Sequence, residues 1–306
     1  MSEKKLLLVF GAASHLSQAL SPTLAKHYHL LGVDIRPCPS GFSFPGSFFQ
    51  LDYTKRAFQD IFRKNSIWGI LHLGRIKPTR PVSKMYRFHR NVLGTDALLR
   101  YGWSYGVKHY VIVSTHQVYG ALKENHLYLK EDETLQAGAR DFGLVDAVEI
   151  DHEASVFLWK KRSAKMVILR PVHVIGPDMV GPLMQALRGP ASPVLLGFDP
   201  LMQFIHQDDM VDAIVLALEG GKRGVFNVAG EGLVPYSTAV ELAGSKPFPS
   251  LGFTFPIFFK LKGYKMPRHF LDNLKYPIVV SDDSFRKAFS FEPKYTLKKA
   301  LKSLRP

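Results

Sequence analysis

Residues 5 to 17 read K-L-L-L-V-F-G-A-A-S-H-L-S, an apolar run that stops at Gly11, passes through small residues and enters helical spacing. The next apolar run, HLLGVD, ends about twenty residues on in an acid, Asp34. A strand, a glycine turn, a helix and an acid in that order suit a dinucleotide. The glycine allows a tight turn, the helix N-terminus faces the pyrophosphate, and the acid accepts hydrogen bonds from the ribose hydroxyls. Two of the three glycines of the full pattern are serines here, Ser14 and Ser17. Ser14 puts a side chain where backbone would approach a phosphate, and Ser17 adds bulk where helix meets strand, so the pattern predicts weakened binding. Asp34 would repel a 2′-phosphate and favours NAD over NADP, while neighbouring Arg36 pulls the other way. No Cys/His cluster has zinc-ligand spacing and the 12 histidines are scattered, so no metal site is expected.

These residues need elements to hold them. Short apolar runs alternate with helical patterns through the first half, the signature of βαβ units and a parallel sheet. Strands are predicted at 5–11, 29–34, 48–52, 67–74, 109–115 and 165–172, and helices around 55–64, 84–105 and 144–161. The last helix is acidic early (Asp146, Glu149, Asp151, Glu153) and basic late (Lys160, Lys161, Arg162), which complements a helix dipole. Past residue 176 the chain turns rich in proline and glycine. The expected fold is α/β: a Rossmann-type doubly wound parallel sheet over 1–176, and a smaller C-terminal substrate-type lobe over 177–306 from which 204–230 returns to the sheet.

A chain of 306 residues can bury a core of that size. Its 46% hydrophobic and 22% charged residues are ordinary for a globular protein, and no run of eighteen apolar residues would span a membrane. A single cysteine, Cys38, excludes a disulfide framework and fits a reducing cytoplasm. The net charge of +14 favours acidic partners, with nucleic acid, anionic membrane surface and acidic protein among them. Basic residues gather modestly in the last third, from Lys260, Lys262, Lys265 and Arg268 to Lys302 and Arg305. The aromatic run Phe253, Phe255, Phe258, Phe259 is read as packing inside the small lobe.

With the later motifs added in order, the chain resembles the extended short-chain dehydrogenases/reductases, the NAD-dependent epimerase/dehydratase family, over nearly its full length. LDYT (51–54), ILHLGR (70–75), RNVLGTDALL (90–99), VIVSTHQVYG (111–120), VILRPVHVIGP (167–177), FIHQDDMVDAIVLAL (204–218) and GVFNVAGEG (224–232) carry the likeness. The resemblance implies that Asp52 reaches an adenine and that Asn91 braces the central helix. Thr115 would be the catalytic Ser/Thr. It places the cofactor along Gly11, Ser14, His15, Leu16, Asp34, Ile35, Arg36, Asp52, Tyr53, Leu73, Gly74, Arg75, Asn91 and Pro171.

The family also needs a tyrosine and, four residues on, a lysine that holds the nicotinamide ribose and lowers the tyrosine pKa. At that place this sequence reads F-G-L-V-D, so Phe142 and Asp146 stand where the pair belongs. Phenylalanine transfers no proton, and an aspartate lowers no neighbouring pKa and repels phosphates. The two Tyr–Lys pairs at the right spacing, Tyr119–Lys123 and Tyr295–Lys299, fall in a loop and near the C-terminus. Arg75 adds a long cation where a small residue lines the cofactor. The expectation is a non-catalytic family member that binds NAD(H) or a similar ligand weakly, as a sensor or scaffold toward a protein partner. Two other readings stand beside it: an active oxidoreductase, epimerase or dehydratase using His116, and an RNA- or polyanion-binding protein. A homodimer is expected through helices 84–105 and 144–161, with Val145, Val148, Phe157 and Leu158 on the contact face.

Overall fold

The computed structural model describes residues 4–77, 82–261, 266 and 268–305; Lys262 and Lys265 of the basic segment lie outside them. The chain runs β1 (Lys5–Phe10), α1 (His15–His27), β2 (Tyr28–Asp34), β3 (Gly46–Gln50), α2 (Arg56–Lys64) and β4 (Gly69–His72). It continues through α3 (Lys84–Phe88), a π-helical turn at His89–Leu93, α4 (Gly94–Ser104) and β5 (His109–Val113). Then come the short α5 (Ala137–Arg140), α6 (Val145–Lys160), β6 (Lys165–Pro171), β7 (His173–Ile175), α7 (Pro182–Arg188) and β8 (Ala191–Leu195). β9 (Leu201–Met202), β10 (Phe204–His206), α8 (Gln207–Glu219), β11 (Gly224–Val228), β12 (Val234–Pro235) and α9 (Tyr236–Leu242) follow. The last elements are β13 (Lys246–Ser250), α10 (Phe255–Leu261), α11 (Arg268–Asn273), α12 (Asp283–Phe289) and α13 (Leu297–Lys302).

Seven strands make one parallel sheet in the order β11-β6-β5-β4-β1-β2-β3, the expected Rossmann-type α/β fold. The period of two along a strand sends alternate side chains to opposite faces. Leu7 and Val9 of β1 enter the core under α1 and α8, while Leu8 and Phe10 enter the core under α2, α4 and α6. Both faces are covered, so the strands read as nearly continuous apolar runs. A third core holds the smaller lobe, where Met184, Leu187, Tyr236, Phe255 and Phe259 pack together. The returning segment 204–230 supplies α8, which packs on α1, and β11, which pairs with β6 at the sheet edge.

Two expectations change. The helix expected over 84–105 is interrupted by the π turn at His89–Leu93, and Asn91 sits inside that turn. On α6, Val148 and Leu158 are buried in this chain's own core, so the face expected to meet a partner is the inward one. The apolar residues that α6 turns outward are Val156 and Trp159, the latter 75% exposed.

Candidate functional site

The strand order reverses between β1 and β4: the chain builds β1, β2 and β3 outward, then returns to place β4 on the other flank of β1. The loops leaving these two strands diverge and open a crevice at their C-terminal ends, where open α/β sheets bind ligands. Gly11 leaves β1 at φ +84°, and a Cβ there would lie 2.4 Å from the Cα and N of Gly74 after β4. Leu73 donates its N–H to Phe10 O at 2.8 Å, so the two loops are laced together at their base. Ser14 caps α1, its Oγ accepting from Ser17 N at 3.2 Å, and the hydroxyl is spent on the helix end. Ser17 is fully buried at the helix–strand contact and its Oγ has no partner among the described residues. His15 is exposed and Leu16 half-buried on the first turn of α1.

Asp34 ends β2 and is 1% exposed. Its Oδ2 accepts from Ala13 N (3.0 Å) and from Nη2 of Arg36 (2.9 Å), and its Oδ1 accepts from N (2.9 Å) and Nε (3.0 Å) of the same arginine. All four good acceptor positions of the carboxylate are therefore occupied by the chain itself. The expected ribose acceptor is committed to Arg36 unless that half-exposed guanidinium swings away.

Beside it lies an open cavity of about 270 Å³ lined by Ile35, Gln50, Leu51, Asp52, Tyr86 and Arg90. Asp52 is held by Arg90 at 2.8 Å and by the hydroxyl and N–H of Thr54. Burial alone would raise its carboxyl, but the Thr54 hydrogen bonds and the Arg90 charge hold it below the usual range. The Arg90 guanidinium lies 3.7 Å over the Tyr86 ring. Tyr53 departs from expectation: it is buried beneath the cleft against Phe10, and its hydroxyl accepts from Ile35 N at 3.1 Å. It supports the wall of the cavity from behind.

The third acid, Asp146, stands one residue into α6 and is 1% exposed. Arg75 reaches it through Nε (3.3 Å) and Nη2 (3.2 Å), the latter also donating to Gly143 O. Arg87 brings its Nε to 3.4 Å from Oδ2, at an angle that makes no hydrogen bond, and donates through Nη2 to Phe142 O. Asn91 donates Nδ2 to Asp146 and ties the loop after β4 by exchanging hydrogen bonds with the N and O of Ile76. The anion is thus neutralised by two arginines rather than turned toward a ligand, contrary to the expectation of a repelling charge. Arg75 is likewise turned onto Asp146. Phe142 lies in the turn before α6, 74% exposed, with Lys84 Nζ 5.0 Å from its ring.

Thr115 stands two residues past the end of β5 and caps a short 3-10 turn, accepting from Gln117 N at 3.3 Å. His116 is buried; its Nδ1 donates to Pro171 O at 3.0 Å, and burial pushes its pKa down to about 4. Such a ring is neutral at pH 7 and a poor proton donor. Below it lies a network that motif reading missed. Ser114 Oγ donates to Asp151 at 2.6 Å, Arg170 grips Asp151 with two bonds, and Tyr119 joins Arg170 to Asn227. Arg87, Arg90 and Tyr86 were missed as well. Their signal was spacing: Arg87 and Asn91 lie four apart, which brings both to one side chain.

The family model described as "NAD dependent epimerase/dehydratase family" matches residues 7–229, most of the chain. The chain belongs to this family. Among solved structures it is similar to UDP-glucose 4-epimerase from Thermotoga maritima with UDP-glucose, at TM-score 0.77 and 19% identity, covering 98% of this chain and 97% of that one. UDP-glucuronic acid 4-epimerase from Bacillus cereus in complex with NAD matches at TM-score 0.74 and 19% identity, covering 97% and 94%. Identities this low speak for the fold. An uncharacterized protein of Mycobacterium tuberculosis, Rv0501, is 27% identical over 197 residues, covering 62% of this chain and 52% of the relative. The uncharacterized protein y4nG of Sinorhizobium fredii is 27% identical over 248 residues, covering 78% and 59%. The chain spans about half the length of the curated relatives it matches first.

For this family member the two halves of the cleft differ. The adenosine half fits a nucleotide: a tight glycine turn, a capped helix N-terminus, and a cavity with an apolar wall, an aromatic ring and a carboxylate. The other half holds a buried arginine–aspartate–arginine cluster where the family pattern asks for a lysine beside a tyrosine.

Proposed function

We propose that the chain binds a dinucleotide of the NAD(H) type without its family's proton relay, and serves as a sensor or scaffold toward a protein partner. One observation carries the reading: Asp146 is buried and fully engaged by Arg75, Arg87 and Asn91. A dinucleotide, when bound, supplies hydride chemistry. A proton must move with the hydride, and at the positions of the family's tyrosine and lysine this chain has Phe142 and Asp146, which move none. His116, neutral and committed to Pro171 O through Nδ1, is a weak substitute. Losing a positioned acid costs ~10²–10⁴-fold in rate. What remains is recognition: the turn at Gly11, the N-terminus of α1 for the pyrophosphate, and the cavity at Ile35, Asp52 and Tyr86 for the adenosine.

The test is calorimetric titration with NAD⁺ and NADH at low and moderate salt, beside a turnover assay with UDP- and dTDP-sugars. The expected result is binding without turnover. Arg36→Ala should tighten binding by roughly tenfold, the worth of about one charge-assisted hydrogen bond, because it returns the Asp34 carboxylate to the ribose. Sugar conversion that disappears in His116→Gln would establish the enzyme instead. No heat at millimolar ligand, in wild type and Arg36→Ala alike, would remove the dinucleotide.

A further inference from the structure

The aromatic segment after β13 splits into two faces that composition does not distinguish. Phe255 and Phe259, four apart, are fully buried in the core of the small lobe, and Phe259 meets Phe270 at 5.4 Å. Ile257 and Leu261, also four apart, are 57% and 83% exposed on the other side of α10, and Phe253, in the 3-10 turn Gly252–Thr254 just before it, is 71% exposed. A surface helix ordinarily turns polar residues outward there. Leu251 and Leu196, 50% and 60% exposed, add to the apolar groups here, and Leu196 N donates to the O of Ser250, the residue before Leu251, at 3.0 Å. Exposed apolar groups gathered on one segment in this way mark an interaction surface.

We infer that this rim docks the protein on the surface of an anionic lipid bilayer. Charge supports that occupant. From Leu242 to Leu271 the sequence contains no aspartate or glutamate and five basic residues, and Lys260 stands exposed next to Leu261. The protruding groups are aliphatic tips and one phenyl ring, without hydrogen-bonding atoms, so they match acyl chains. A nucleic acid would ask for several stacking rings, and among the described residues of this rim Phe253 is the one ring more than half exposed. No helix of the described residues is long and apolar enough to cross a membrane. The docking is therefore interfacial: apolar tips sink below the headgroups while Lys260 stays among the phosphates.

The experiment is cosedimentation of the purified chain with vesicles of phosphatidylcholine alone and of equimolar phosphatidylcholine and phosphatidylglycerol. Binding is expected on the anionic vesicles and should weaken with salt. Phe253→Ser/Ile257→Ser/Leu261→Ser should lower partitioning by about a hundredfold, for three partly buried side chains. Lys260→Glu should lower it by more than the roughly fivefold worth of one cation near a charged surface. Both variants change exposed groups, and an unshifted melting temperature checks that each stays folded. Failure of wild type to pellet with anionic vesicles at low salt overturns the inference. So does partitioning that the triple variant leaves unchanged, a dimer that the triple variant dissociates in the absence of vesicle binding, or retention of single-stranded RNA in place of vesicles.

Discussion

Asp146 is the residue whose replacement says most. Its side chain is 1% exposed, and the guanidiniums that face it, on Arg87 and Arg75, are 7% and 20% exposed. Asp146→Asn keeps the shape and removes the charge, so Arg87 is left as a buried cation without a counter-ion. Breaking a buried pair in this way costs ~3–5 kcal/mol, and the partial hydration of Arg75 argues for about 3. Asp146→Lys is the substitution that would restore the family's lysine, and it is much worse. Each guanidinium would stand about 5 Å from the new ammonium, and at an effective dielectric constant of about 20 each repulsion is ~3 kcal/mol. Added to the lost attraction, the total is ~9 kcal/mol, comparable with the whole ~5–15 kcal/mol of a folded domain. Restoring the pair with Phe142→Tyr and Asp146→Lys alone should give an insoluble or molten protein. The lysine needs Arg75 and Arg87 replaced by neutral residues at the same time. Urea unfolding followed by circular dichroism measures this, with the slope checked for constancy. A cycle through Arg75→Gln and Asp146→Asn should show coupling of about 1–2 kcal/mol. If Asp146→Asn costs less than about 1 kcal/mol, or Asp146→Lys unfolds at the wild-type midpoint, the cluster is not the electrostatic unit described here.

Acid should destabilise the fold through two histidines: burial pushes His72 and His116 down to about 4 from an unfolded value near 6.5. The unfolded chain then binds the protons that the folded chain refuses, so stability is full above pH 6.5 and falls as pH drops toward 4, by ~1.4 kcal/mol per unit for each ring. Urea midpoints at pH 7.5 and 5 should differ by the equivalent of about 4 kcal/mol, and His116→Gln should remove about half of that; an unchanged difference would refute the burial account. We also propose that the chain forms a homodimer through the outward face of α6, where Val156 and the 75%-exposed Trp159 stand one turn apart. Light scattering should give twice the monomer mass for wild type and the monomer mass for Trp159→Glu; a wild-type monomer at micromolar concentration would refute it.

The sheet was legible because its strands are buried on both faces, and such strands appear as unbroken apolar runs whatever their neighbours are. Gly11 was legible because only glycine fits a φ of +84° with another backbone 2.4 Å from where a Cβ would stand. What sequence hid was phase and pairing. On α6 the spacing that joins Val148 to Leu158 is equally good for an inward or an outward stripe, and the sheet decides it. Within Phe253, Phe255, Phe258 and Phe259, composition offers four equivalent rings, and only the placement of the 3-10 turn and of α10 separates the exposed Phe253 from the buried Phe255 and Phe259. The partners of Asp146 lie 71 and 59 residues away in sequence, so they meet only once the loop after β4 and helix α3 are brought against α6.

Those pairings share a pattern along the whole cleft. Asp34 is locked to Arg36, Asp52 to Arg90, and Asp146 to Arg75 and Arg87. A cleft that had merely lost its catalytic residues would be expected to leave buried charges unmatched, and unmatched buried charges are expensive. Here three carboxylates meet four guanidiniums, and the single buried orphan among these groups is Arg87 Nε. The balance leaves a surplus of one positive charge at the floor of a site whose proposed ligand carries a pyrophosphate. It also means that each acid can be released for a ribose or a base only when an arginine turns outward, and that an arginine so released is free to meet phosphate. Ligand entry would then be an exchange of ion pairs rather than the filling of a rigid slot. Such an exchange changes the position of cations at the surface near α3 and the turn at Phe142, which is the kind of change a protein partner could read.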